Sequence, residues 1–121
     1  MFLADTSVWI DYLARGDDHF AQLLDDDAVV GHPFVTAELA LGSIANPSET
    51  IALLESLPQA QTASHGELMQ LIRSERLGGS GIGFVDAHLL AACRLSGTSL
   101  WTRDKRLRAQ SQRLGCAWNP S

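Results

Sequence analysis

A chain of 121 residues fits one domain, expected here to span 1–121, and at this size it buries a core without a disulfide or structural metal. Its net charge of −5 excludes a uniformly basic surface of the kind that grips phosphates through Lys and Arg. No run approaches the roughly 20 apolar residues of a membrane span, and no basic leader precedes an apolar stretch. A cytoplasmic protein without membrane association is therefore expected, with Cys93 and Cys116 as reduced thiols packed like small hydrophobes.

Phe2-Leu3-Ala4 is a short apolar run that reads as a buried strand. Asp5-Thr6-Ser7 offers helix N-caps, and a helix follows from Val8 to Ala14, ending near Gly16. A second short helix is expected over Phe20–Leu24 and a strand over Ala28–Val30. Phe34–Ile44 has helical spacing, with Pro33 suited to its first turn. Pro47 opens another helix that runs through Leu57 until Pro58 stops it. A weak strand is expected over Ala60–Ala63 and a helix over Glu67–Leu77. The segment from Gly78 to Gly83 holds four glycines and reads as a loop. A strong helix follows over Phe84–Leu95, ended by Gly97 in the left-handed region. Ser99-Leu100-Trp101 is a strand, Asp104–Leu114 a helix, and Cys116-Ala117-Trp118 a last strand.

Short apolar strands alternating with helices imply an α/β fold whose parallel sheet is covered on both faces. Sites in such sheets form beyond the carboxyl ends of the strands. That rule points at Asp5 and at Thr102 to Asp104, which directly follow strands. The other charges are less pointed. Acids crowd the first quarter (Asp17, Asp18, Asp25, Asp26, Asp27) and bases the end (Arg103, Lys105, Arg106, Arg108, Arg113), both readable as solvated faces.

Two further acids stand out by their neighbours. Asp86 shares a helix face with Leu89, Leu90 and Cys93; Glu38 shares one with Phe34, Val35, Leu41 and Gly42. Acids on apolar stripes are expected to be paired or bound to something. Taken singly, Asp5 and Asp104 read as helix caps, Asp86 as a group favoured by the helix dipole, and Glu38 as the partner of a buried Arg. One cause covers all four: convergence on a divalent cation. All-oxygen ligation without a nearby Cys or His pair suits Mg²⁺ or Mn²⁺ rather than zinc. Such an ion activates water for in-line attack on phosphorus, and no GxSxG, HExxH or P-loop pattern competes.

These residues carry a resemblance. Leu3-Ala4-Asp5-Thr6-Ser7-Val8-Trp9-Ile10-Asp11 resembles the first motif of PIN domains, and Ala37-Glu38-Leu39-Ala40-Leu41-Gly42 the second. Gly81-Ile82-Gly83-Phe84-Val85-Asp86-Ala87-His88-Leu89-Leu90-Ala91-Ala92 resembles the third, and Leu100-Trp101-Thr102-Arg103-Asp104-Lys105-Arg106-Leu107 the fourth. All four stand in order over nearly the whole chain, and the likeness is nearest to the VapC toxins. The resemblance implies a single PIN-like α/β/α sandwich with a central parallel sheet. It implies a Mg²⁺- or Mn²⁺-dependent endoribonuclease acting as the toxin of a toxin–antitoxin pair, with RNA as substrate, a VapB-type antitoxin as partner, and a homodimer. The implied catalytic residues are Asp5, Glu38, Asp86 and Asp104, with Asp5, Asp86 and Asp104 as metal ligands and the hydroxyls of Ser7 and Thr102 in support. Thr6 and Asp11 carry a weaker signal, and Asp11 reads as a surface residue. Arg73, Arg76, Arg103 and Lys105 are candidate RNA contacts, and the glycine loop is a candidate approach for an RNA backbone. His88, two positions from Asp86, points off the acid's helix face and reads as no ligand. Phe2, Trp9, Phe34, Phe84 and Trp101 are expected in the core.

Two rival functions remain open on the sequence. A catalytically silent PIN scaffold would keep the fold and only bind a partner. A receiver-type phosphoacceptor domain would need an acidic pair after the first strand and a late Lys after a strand, whereas Asp5 has no acidic neighbour.

Overall fold

The computed structural model describes residues 1–119; the last two residues of the expected domain, 120 and 121, lie outside the described residues. Strand β1 (Phe2–Ala4) lies at the centre of a parallel sheet, between β2 (Val29–Val30) and β3 (Ser99–Trp101). The register pairs Phe2 with Val29 and Ser99, Leu3 with Val30 and Leu100, and Ala4 with Trp101. Phe2, Leu3 and Ala4 are all buried. Successive strand residues point to opposite faces, so both faces of the sheet are covered.

The expected strand 60–63 does not form, and a single parallel bridge joins Gly31 to Gln59 just before it; the expected strand 116–118 is reduced to one parallel bridge, Leu100 to Ala117.

Seven helices are formed among the described residues: α1 (Thr6–Arg15), α2 (Asp18–Asp25), α3 (Pro33–Leu41), α4 (Pro47–Ser56), α5 (His65–Ser74), α6 (Phe84–Ser96) and α7 (Lys105–Arg113). Their starts follow side-chain capping. Asp5 accepts from the Val8 N–H, Asp17 from Phe20, and Asp104 from Leu107. Helix α5 begins earlier than its apolar spacing suggests because Ser64 and Glu67 form a reciprocal capping box. Helix α3 stops at Leu41, short of the expected Ile44, where Gly42 leaves helical geometry.

The core joins the sheet to α6, whose residues Ala87 to Cys93 are all buried, and to an aromatic group. Phe2 meets Trp101 edge-on at 5.5 Å and stacks on Trp118 at 4.2 Å. Phe20 meets Trp9 edge-on at 4.9 Å. Trp9 is fully buried, as expected. Phe84 is not: it is 63% exposed, with Phe34 half-buried beside it. Its position at the first turn of α6 places it ahead of the stretch that enters the core. Cys93 is buried and its thiol is pushed up to about 12 by that burial, so it is inert packing. Cys116 is half-buried and also shifted up by burial. No described helix is long and apolar enough to cross a membrane.

Candidate active site

Asp5 follows β1 directly, and the Thr102–Asp104 segment follows β3, the strand beside it. The Asp5 N–H donates to the Trp101 carbonyl at 3.0 Å, which continues the sheet and fixes the two segments side by side. Asp5 is buried with 4% exposure, so its charge needs partners.

Those partners form a symmetric two-branch network. Ser7 Oγ donates to Asp5 Oδ1 at 2.5 Å, and the Thr102 hydroxyl donates to Asp5 Oδ2. Each hydroxyl in turn accepts a backbone N–H from the same loop. Arg103 N donates to Ser7 at 3.1 Å, and Asp104 N donates to Thr102 at 3.0 Å. A carboxylate only accepts, so each hydroxyl donates its proton to Asp5 while taking a backbone N–H on a lone pair. With the Val8 N–H added at 3.2 Å, Asp5 uses three of about four acceptor sites. The carboxylate is thereby held in one orientation while retaining some ligand capacity.

The other three acids stand around it. Glu38, on α3, is exposed rather than buried, because α3 buries only Val35 and Leu39. Its partner is not an Arg: Thr6 Oγ1 donates to Glu38 Oε1 at 2.6 Å. Thr6, a weak signal in the sequence, thus ties α1 to the second acid. Asp104 is exposed and caps α7, so its bland reading as a cap is realised at the same time as its approach to the pocket. Asp86 is half-buried in the first turn of α6. Burial pushes its carboxyl up from the ordinary value, and a hydrogen bond from the Gly83 backbone pulls it down. Asp5, Asp104 and Glu38 each push it up further. All three other acids are therefore within electrostatic reach of Asp86.

Among the described residues no three His, Cys, Asp or Glu side chains are drawn together to ligating distance. Instead, the acids take hydroxyl and backbone donors: Asp5 takes three, while Glu38 and Asp104 each take one on a single oxygen. The donor chemistry, all oxygen with the sulfur and imidazole groups packed elsewhere, fits a hard divalent cation.

The candidate cations separate. Arg103 is engaged by Asp11 at 3.1 Å and lies over the Trp101 ring at 5.6 Å. Asp11, half-buried, also meets Arg15 at 3.1 Å, so it is a bridge between α1 and the β3–α7 loop rather than a plain surface acid. Lys105 is exposed at the first position of α7, directly after Asp104. Arg73 and Arg76 are exposed at the end of α5, outside the network around Asp5. The sequence did not single out Arg106 as a contact. Its side chain lies across Gly81, whose φ is +88°, and a Cβ there would meet Arg106 Cδ at 2.9 Å.

His88 is buried with 5% exposure, edge-on to both Phe34 and Phe84 at 4.7 Å. Its pKa is lowered by burial and by His65. His32 is fully buried and pushed down to about 4, first by burial and then by His88. Its Nδ1 accepts from Phe34 N. Both are packing and capping groups.

The sequence model of the PIN domain matches residues 2–111. The chain belongs to the PIN-domain family. Within it, this PIN domain is similar to Ribonuclease VapC32 of two Mycobacterium tuberculosis strains, CDC 1551 / Oshkosh and ATCC 25618 / H37Rv. Identity is 46% over 118 residues in each case, covering 97% of this chain and 95% of the relative. Helices hold Glu38 and Asp86 in this PIN domain, an arrangement foreign to the receiver-type alternative.

Proposed function

We propose that this chain is a ribonuclease of the VapC type, a divalent-cation-dependent endoribonuclease that cuts RNA as the toxin of a toxin–antitoxin pair. The observation that carries the mechanism is the buried Asp5 carboxylate, fixed by Ser7 and Thr102 at the ends of β1 and β3, with the Asp86 carboxyl pushed up by burial and by Asp5, Asp104 and Glu38. Crowded acids of this kind favour a cation over the empty state. Asp5, Asp86 and Asp104 would hold Mg²⁺ or Mn²⁺, with Glu38 completing the negative wall. When bound, the ion supplies Lewis acidity to a phosphate oxygen and acidifies a water for in-line attack.

The chain's own groups do the positioning. Ser7, Thr102 and the backbone of residues 103 and 104 lock the Asp5 carboxylate. Thr6 holds Glu38. Glu38, which is not among the three proposed ligands, would take the proton of the attacking water. No side-chain nucleophile is required.

The partner reading rests on apolar exposure. Ile10 is 53% and Leu41 89% exposed. A pocket between α1 and α3 is lined by Ile10, Leu13, Leu39 and Ile44, with Glu38 on its rim. An antitoxin of the VapB type would cover this surface and bring a basic side chain to Glu38. A homodimer would align two acidic pockets beside basic edges, which reconciles the acidic chain with RNA. The test is cleavage of RNA by purified protein with Mg²⁺ or Mn²⁺, against Asp5→Asn. A silent scaffold predicts equal, background cleavage by both.

A further inference from the structure

Phe84 is the large exposed hydrophobic side chain nearest the four acids in sequence, two residues before Asp86. Its ring is not loose. It stacks beside Phe34 at 6.3 Å with planes 21° apart, and His88 abuts both rings edge-on at 4.7 Å. His32 backs this group, edge-on to Phe34 at 5.1 Å. Phe34 lies one helical turn before Glu38 on α3.

Phe84 also walls a pocket of about 260 Å³, whose floor is Leu68, Ile72, Leu77 and Ala87 and whose far side is the glycine loop. At Gly78, Gly79 and Gly83 the space where a Cβ would stand is open. No side chain therefore covers the backbone at Gly78 and Gly79, on the loop that shares this pocket with Phe84, while the Gly83 N–H and carbonyl are taken by Asp86 and by the Ala87 N–H. Arg106 lies over Gly81 at the same loop.

We infer that this pocket is a nucleobase subsite, in which Phe84 stacks one unpaired RNA base beside the bond to be cut. The inference rests on the ribonuclease reading above. An aromatic face takes any base by stacking, and the lack of side chains at Gly78 and Gly79 lets a base edge come close to the loop backbone. The location suits this occupant: the same first turn of α6 carries Asp86 to the acids and Phe84 to the pocket. A space of about 260 Å³ beside a ring held by Phe34 and His88 has room for one planar heterocycle.

The test compares binding of three labelled probes to an Asp86→Asn background that does not cleave, in Mg²⁺. The probes are a short single-stranded RNA, the same ribose–phosphate backbone without bases, and the duplex. Phe84→Ala should weaken the single strand about tenfold, leave the abasic backbone unchanged, and leave the duplex unchanged. Phe84→Trp should keep the single-strand affinity. If Phe84→Ala weakens the abasic backbone equally or weakens nothing, the subsite is wrong. A change in oligomeric state with Phe84→Ala would instead assign the ring to an interface between copies and overturn the proposal. Cleavage of the same single strand by the wild-type protein is scored separately, so a failure of the ribonuclease reading is distinguishable from a failure of the subsite.

Discussion

The Thr102 hydroxyl donates to Asp5 across 97 residues of sequence while accepting the Asp104 N–H on a lone pair, so both its donor and an acceptor site are used. One hydroxyl thus carries information from the end of β3 to the end of β1. Thr102→Val preserves shape and deletes the donor, leaving a buried carboxylate oxygen short of a partner. The expected cost is about 1–3 kcal/mol of stability together with loss of cleavage, and Thr102→Ser should restore both. Equal stability and activity in the Val variant, by denaturant melts and RNA cleavage, would remove Thr102 from the site.

Gly81 predicts a backbone effect. Its φ of +88° disfavours any side chain, and a Cβ would press on Arg106. Gly81→Ala should lose about 1–2 kcal/mol, whereas Gly78→Ala, with open space and ordinary φ, should change stability little. Equal melting of the two variants would contradict this.

The pH response has two opposing parts. His32, lowered to about 4 by burial and by His88, stays neutral in the fold while the unfolded chain protonates near 6.5. Its contribution is therefore complete above pH 6.5 and is lost as pH falls toward 4, on the order of 2 kcal/mol by about pH 5. Asp86, raised by burial and by its acidic neighbours, acts in the other direction. It opposes folding above its folded pKa, and that penalty fades as pH falls through it. His32→Asn should flatten the acid-side loss in a stability-versus-pH curve, and Asp86→Asn should steepen it. The reverse pattern would break both assignments.

Charge at the edge of the site is testable through salt. Lys105 is exposed next to Asp104, whereas Arg103 is engaged by Asp11. Lys105→Gln should lower the salt slope of RNA binding by about 1. Arg103→Gln should reduce that slope less and lower stability by under about 1 kcal/mol, as for an exposed ion pair. A larger slope change at Arg103 would show that Asp11 releases it to RNA.

The sequence made the central elements legible where local chemistry and tertiary need agree. Phe2–Ala4 is apolar and Asp5 caps α1, so strand, helix and site residue coincide. The outer strands reduce to single bridges, Gly31 to Gln59 and Leu100 to Ala117, because apolar composition alone does not show whether a segment finds a partner of matching register. Glu38 sits on an apolar stripe in the sequence, yet of that stripe only Val35 is buried while Leu41 is exposed, and helical spacing cannot say which of its residues meet the core. Phe84 was assigned to the core for the same reason: hydrophobicity does not reveal that the first turn of α6 overhangs it. The Thr6–Glu38 contact joins residues 32 apart and leaves no mark on local spacing.

The account stands most directly on Asp86. The measurement is a melting curve for wild type and Asp86→Asn at fixed pH and ionic strength, with chelator and with added Mn²⁺ or Mg²⁺. Relief of carboxylate repulsion should make the chelated Asn variant melt above chelated wild type. The Asn variant should gain less from metal and should cut no RNA. If Asn at this position lowers the chelated melting point and leaves the metal-induced shift intact, Asp86 is a structural cap bonded to Gly83, and the four-acid cation site is wrong.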